Sequence, residues 1–371
     1  MDNHRVPGPV SRRLRYPDIT IFALIIVANC AQAGDVSDDR EPCACSGPDS
    51  FFNPVPTTIS DEAQDFIRGL PDPATYPASP APDDIEGWRR LREKQELRAR
   101  PRMDAIKDEF GAKIIPGRMG GVPILDIRPA TWQKSAPVIV FIHGGGYTLG
   151  SAASSLAASI PLAHDSGMRV ISIDYSTAPA AGFREILDEA TSVIRALYAV
   201  GFKPENVALV GVSAGGGIAM GATLKMRDDG TEPVGAIVLW SPTADLSNGG
   251  ETWTTLRHVE PAFDAKKQLN SVGQTFAPVS ELTNPYVSPV YGQYDDRFPP
   301  TLIQGGTRET LLSGFVRLYR VIDSAGADAR LDLYEGMVHA FQEIAYGLPE
   351  SGLARQNSIR FLRQHLVAVR P

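Results

Sequence analysis

Cysteine is scarce in this 371-residue chain: Cys30, Cys43 and Cys45 are the only three, all near the N-terminus. Neither a disulfide framework nor a cysteine-based zinc site can therefore hold the body together. Histidine is scarce as well, at six, and the six are scattered with no H-E-x-x-H among them, so no metal set is evident and no cofactor is expected. There is no basic excess. Formal net charge is −7, and no basic cluster lies beyond the first 15 residues, which argues against a nucleic-acid partner. No apolar run reaches the ~20 residues of a membrane-spanning helix, so no stable membrane span is expected. What remains is 43% hydrophobic and 21% charged, the composition of an ordinary globular protein of enzyme size.

The first 33 residues read as an address. Arg12, Arg13 and Arg15 precede an apolar centre, Ile19 to Ala28, and Ala31-Gln32-Ala33 supplies a small-residue exit. That order describes a secretory signal peptide cleaved after Ala33, hence a periplasmic or secreted protein. A lipoprotein reading through Cys30 meets Asn29, larger than the residue usual before a lipidated cysteine, and Arg12-Arg13 matches a twin-arginine route weakly. Residues 34–59, rich in Pro, Asp and Ser, read as a disordered linker carrying Cys43 and Cys45.

Residues 60–110 change to helical patterns. Ser60-Asp61-Glu62 opens one segment through Phe66, Ile67 and Leu70, and a second, Asp83 to about Phe110, sets Ile85, Trp88, Leu91 and Leu97 among many charges. Two amphipathic helices ahead of a sheet suggest a cap, and a mixed stretch near 248–277 suggests a second piece of it. Phe66, Trp88, Leu91 and Trp253 are candidates for an apolar acyl pocket or for packing between cap and core. Over 111–371, short β-branched runs alternate with helical ones, the pattern of a doubly wound, mostly parallel α/β sheet. The expected strands are Pro123–Arg128, Val138–Ile142, Arg169–Tyr175, Val207–Val212, Gly235–Trp240, Thr301–Gly305 and Arg330–Tyr334. Expected helices lie near Phe183–Val200, Gly216–Arg227, Leu312–Ala325 and Leu353–Val367.

Gly211-Val212-Ser213-Ala214-Gly215 follows one of those strands and leads into a helix. G-x-S-x-G alone is a weak signal, but strand, sharp turn and helix are what a strained nucleophilic serine needs. His143-Gly144-Gly145-Gly146 follows another strand, and its glycines leave backbone N–H groups free to bind an oxyanion. His143 itself reads as structural. A serine hydroxyl needs a base, and His339 stands alone in a loop after the last expected strand, where a Ser-acid-His chain order puts it. Glu309 is the only carboxylate in the loop after the preceding strand; its rivals Asp295 and Asp296 come before that strand.

The pairing of His143-Gly144-Gly145-Gly146 with Gly211-Val212-Ser213-Ala214-Gly215-Gly216 resembles the bacterial hormone-sensitive-lipase-like esterases of the α/β-hydrolase superfamily. Asp174-Tyr175-Ser176-Thr177-Ala178-Pro179, Ser241-Pro242 and the stretch from Asn284-Pro285-Tyr286 to Phe341 are similar too. The resemblance implies an α/β-hydrolase fold with a helical cap and a serine carboxylesterase acting on short- to medium-chain acyl esters. It implies Ser213 as nucleophile, Glu309 as acid and His339 as base, with Gly145, Gly146 and Ala214 forming the oxyanion hole and Gly144 shaping its loop. Many members have aspartate where this chain has Glu309, and Ala180-Ala181 replaces a usual glutamate. A small-molecule ester is the expected partner, and a homodimer through an edge strand is compatible with the resemblance. Lactone hydrolysis or deacetylation of a specialised natural product stands as the alternative, with an amidase, a peptidase or a non-catalytic receptor on the same fold behind it.

Overall fold

The computed structural model describes residues 52–263 and 270–369, so the expected signal peptide and all three cysteines lie outside the described residues. Strands β1 (Lys113–Met119), β2 (Val122–Arg128), β3 (Val138–Ile142), β4 (Arg169–Ile173), β5 (Val207–Val212), β6 (Ala236–Trp240), β7 (Thr301–Gly306) and β8 (Ala329–Tyr334) form one sheet. Its order is β1-β2-β4-β3-β5-β6-β7-β8. The β1–β2 and β2–β4 pairs are antiparallel and all others parallel.

Every residue of β3, β5 and β6 is buried, because helices cover both faces of the parallel part. Along β3 the period of two divides the side chains between two cores. Val138, Val140 and Ile142 pack toward α4 (Phe183–Ala199) and α5 (Ala214–Asp228). Ile139 and Phe141 pack toward α3 (Leu156–Ser166) and α10 (Pro349–His365). A further helix, α8 (Leu312–Ser324), lies along β7 and β8.

Two elements escape the sequence pattern. Strand β1 carries Pro116 and Gly117, lies at the sheet edge and is mostly exposed, so it shows no apolar alternation. Helix α3 is buried along nearly its whole length and contains Pro161, so it has no polar face to reveal a helical period.

Ahead of the sheet lie α1 (Asp61–Arg68) and α2 (Ile85–Phe110). The Ser60 hydroxyl accepts the N–H of Ala63 at 3.1 Å, capping α1, and donates to Glu350 at the start of α10. Ala63, Phe66 and Ile67 pack against Tyr334, Met337, Val338 and Phe341, the residues around the His339 loop. Of the linker expected over 34–59, residues 52–59 are described and are bonded to the body. Within it, Asn53 and Pro54 accept hydrogen bonds from Arg308, and Thr58 donates to Glu335.

Near 248–277 the described residues form two short helices, α6 (Thr252–Thr255) and α7 (Asn270–Phe276). The four apolar-pocket candidates are packing residues. Phe66 faces the His339 loop, Trp88 and Leu91 join the core beneath α4, and Trp253 lies near Ala244 and Leu311.

Candidate active site

Ser213 sits at the end of β5, directly before α5, with φ 54° and ψ −119°. A left-handed φ on a residue with a Cβ costs about 1–3 kcal/mol and persists only where the surroundings over-determine it. Here they do. The Ser213 N–H donates to the Trp240 carbonyl at 2.9 Å, and its own carbonyl accepts the N–H groups of Gly216, Gly217 and Thr243. The turn also demands a close approach of chains: a Cβ on Gly215 would lie 2.1 Å from the Ile142 carbonyl oxygen.

The Ser213 hydroxyl lies 2.8 Å from His339 Nε2, and His339 Nδ1 lies 2.8 Å from Glu309 Oε2. Three residues spaced across the chain thus meet in one hydrogen-bonded line. Glu309 is fully buried, and its other oxygen accepts the Gly306 N–H at 2.6 Å and the Ser241 hydroxyl at 2.7 Å. That carboxylate is held on both oxygens, which forces the imidazole proton onto Nδ1 and leaves Nε2 free to accept from the serine. The rivals lie elsewhere: Asp295 pairs with exposed Arg297 at 2.8 Å, and Asp296 is exposed.

Gly144 and Gly145 line the same cavity as Ser213 and His339. Gly145 has φ 113°, and a Cβ there would come within 2.1 Å of the Leu149 carbonyl oxygen. The backbone N–H groups of Gly144, Gly145, Gly146 and Ala214 donate to no acceptor among the described residues. Such open donors beside a serine suit a developing oxyanion. His143 is fully buried and stacked on Tyr175 at 4.1 Å; its Nδ1–H donates to the Gly144 carbonyl, and burial pushes its pKa down to about 4. It is a neutral packing residue that shapes the glycine loop. His164 and His365 pair with Asp165 and Asp328, and His258 accepts from Arg257, all away from the cavity.

Four participants were not legible in the motifs. Ser241, at φ 50°, donates to Glu309 and accepts the Ala340 N–H at 3.0 Å, tying the acid to the His339 loop. Phe263 meets the imidazole edge-on at 5.0 Å. Glu260 is fully buried; its Oε1 accepts the N–H of Ala262 at 2.9 Å and that of His339 at 3.5 Å, while Oε2 has no partner among the described residues. Burial and then the charge of Glu309 push its pKa well above the usual glutamate value. Arg102, on α2, reaches the cavity from the cap side. Only Ser241 carried a signal, its place at the end of a strand beside the elbow. The others come from segments remote in sequence. Among the described residues no cluster of metal-binding side chains occurs, and no helix is long and apolar enough to cross a membrane.

The chain resembles known proteins along most of its length. A family model described as the alpha/beta hydrolase fold matches residues 139–343. An acetyl-hydrolase of Streptomyces hygroscopicus is 31% identical over 264 residues, covering 70% of this chain and 87% of that protein. An esterase of Acinetobacter venetianus is 29% identical over 250 residues, covering 67% of this chain and 81% of its own. Among solved structures, esterase E25 aligns with a TM-score of 0.79 at 26% identity, over 89% of this chain and 99% of that one. An esterase from the bacterial hormone-sensitive lipase family aligns at TM-score 0.69 and 28% identity, over 79% of this chain and 94% of the other.

Proposed function

The chain belongs to the alpha/beta hydrolase fold family, as a hydrolase of ester bonds like the bacterial hormone-sensitive lipases, and on that premise we propose a serine carboxylesterase mechanism. The carrying observation is the hydrogen-bonded line from the Ser213 hydroxyl through His339 to Glu309, 2.8 Å at each step. Ser213 Oγ attacks the ester carbonyl carbon while its proton passes to His339 Nε2. Glu309 holds the imidazole orientation and stabilises the imidazolium; it keeps no proton. The carbonyl oxygen takes the negative charge and is met by the N–H groups of Gly145, Gly146 and Ala214, with Gly144 shaping the loop. Collapse breaks the ester C–O bond, and the imidazolium gives its proton to the departing alcohol. Water then attacks the acyl-serine, losing a proton to His339, and the acid is released.

The substrates of this reading are short- to medium-chain acyl esters. The cavity beside Ser213 is about 120 Å³, a size suited to a short acyl chain, and α2 and α9 (Phe341–Ile344) form part of its wall. The acetyl-hydrolase relative makes an acetyl ester the first substrate to try. Purified protein assayed on p-nitrophenyl esters from acetyl to palmitoyl should peak at short chains. Ser213→Ala should lower turnover by several orders of magnitude while keeping the fold, since it removes the nucleophile. Wild-type turnover in that variant would sink the mechanism, and a peak at palmitoyl would sink the chain-length reading.

A further inference from the structure

The wall of the cavity facing Ser213 is mostly apolar but carries charged side chains. Helix α2 contributes Gln95, Glu96, Arg98, Ala99, Arg102 and Met103, and α9 adds Glu343. Arg102 Nη2 donates to the carbonyl oxygens of Glu343 at 3.1 Å and Ile344 at 2.9 Å, which pins the guanidinium at the end of α9. Its Nε and Nη1 donors have no acceptor among the described residues, and no carboxylate oxygen there lies within ion-pair distance of it. Burial pushes the Glu343 carboxyl above the usual range, with Ser155, Arg102 and His339 acting against that shift. Glu96 Oε2 accepts the Ser151 hydroxyl at 2.8 Å, and its Oε1 is buried without a partner among the described residues. Burial lowers the Arg102 pKa, yet a guanidinium stays charged at neutral pH.

An alkyl chain laid over the guanidinium itself would strip water from a fixed cation and give its Nε–H and Nη1–H groups nothing in return. With Nη2 spent on the two carbonyls, a carboxylate would accept a single charge-assisted hydrogen bond from Nε–H or Nη1–H. We propose that the preferred esters carry a carboxylate a few bonds from the scissile ester, read by Arg102 as the specificity-determining residue. This rests on the Ser213 mechanism and names its substrate class. The carboxylate comes either from the acyl part, as in a dicarboxylic half-ester, or from the alcohol part, as in an acylated hydroxy acid.

Two matched pairs separate these sources: monomethyl glutarate against methyl hexanoate, and 4-acetoxybutyrate against pentyl acetate, each followed by acid release with the full chain. In one pair the anionic ester should win in kcat/KM by at least about tenfold, the scale of a charge-assisted hydrogen bond, and that pair identifies the source. Raising salt should shrink the advantage. Arg102→Met should cut the anionic-to-neutral ratio by about tenfold or more, and Arg102→Lys should keep part of it, since the charge survives without the guanidinium's anchoring bonds to the α9 carbonyls. Should Arg102→Met fail to fold, the wild-type pairs and their salt dependence decide alone. Neutral esters winning in both pairs, or a ratio unmoved in folded Arg102→Met, overturns the carboxylate reading and leaves the esterase intact. No turnover of any of the four, nor of p-nitrophenyl acetate, brings down the Ser213 mechanism and this inference with it.

Discussion

His339 stands between two unlike environments. On its main-chain side the packing is closed and almost apolar, with α1 against Met337, Val338 and Phe341, Phe263 against the ring, and the buried Glu260 carboxyl behind the backbone. On its cavity side α2 and α9 present Arg102, Glu96 and Glu343. The two helices that precede the sheet therefore divide the work. Helix α1 packs against the loop that carries the imidazole, and α2 lines the cavity in front of it. Rigid support and chemical selectivity are separate demands on one residue, and separate elements meet them.

Breaking the apolar side should have the largest effect on stability. Ile67→Ala, at a fully buried position of α1, should cost about 2–5 kcal/mol, read as a lower melting temperature and urea midpoint. Turnover of neutral and anionic esters should fall together, since the loop holding His339 loosens while the cavity wall is untouched. A variant as stable as the parent would show that α1 does not brace the loop.

A subtler test of the same side uses pH. Glu260 has a raised pKa in the folded state, so its carboxyl is easier to ionise unfolded than folded. Its contribution is neutral below the ordinary glutamate value of 4.5 and turns destabilising as pH climbs from there toward the folded value. Glu260→Gln keeps an acceptor for the Ala262 and His339 N–H groups and removes the titration. The variant should gain melting temperature over wild type as pH rises through that window. A gap that stays constant with pH would mean the carboxyl is not held neutral.

The smallest effect belongs to the outer face of α2. Arg89 pairs with Glu86 and Glu93 at 2.8 and 2.6 Å, with all three side chains more than half exposed. Arg89→Ala should therefore leave the melting temperature close to the parent's and leave the preference between ester pairs unmoved. A shift in that preference would mean that long-range charge, not Arg102 at the wall, selects the substrate.

Much of this was legible in the residues. Val138–Ile142 and Val207–Val212 are strands at the bounds expected, because a parallel strand buried on both faces must be continuously apolar. The serine turn, the glycine loop, Glu309 and His339 were also readable, since each needs particular residue types at the end of a strand. Pattern failed where burial lacks an alternation to display it, as at edge strand β1 and wholly buried α3. It failed differently in the cap. The apolar residues Phe66, Trp88 and Leu91 stood out in the sequence, yet they turn toward the core, and it is Arg102 that meets the cavity.

The sequence by itself determined the sheet's buried strands, the elbow and the residue types around it, because these are local: a strained turn, a run of glycines, an alternation of burial. Only the tertiary structure decided which face of α2 covers Ser213, that Glu260 lies behind His339, and that Ser241 joins the acid to the histidine loop. Those contacts join segments tens to hundreds of residues apart, and no local propensity records which of two helix faces finds the better-packed partner.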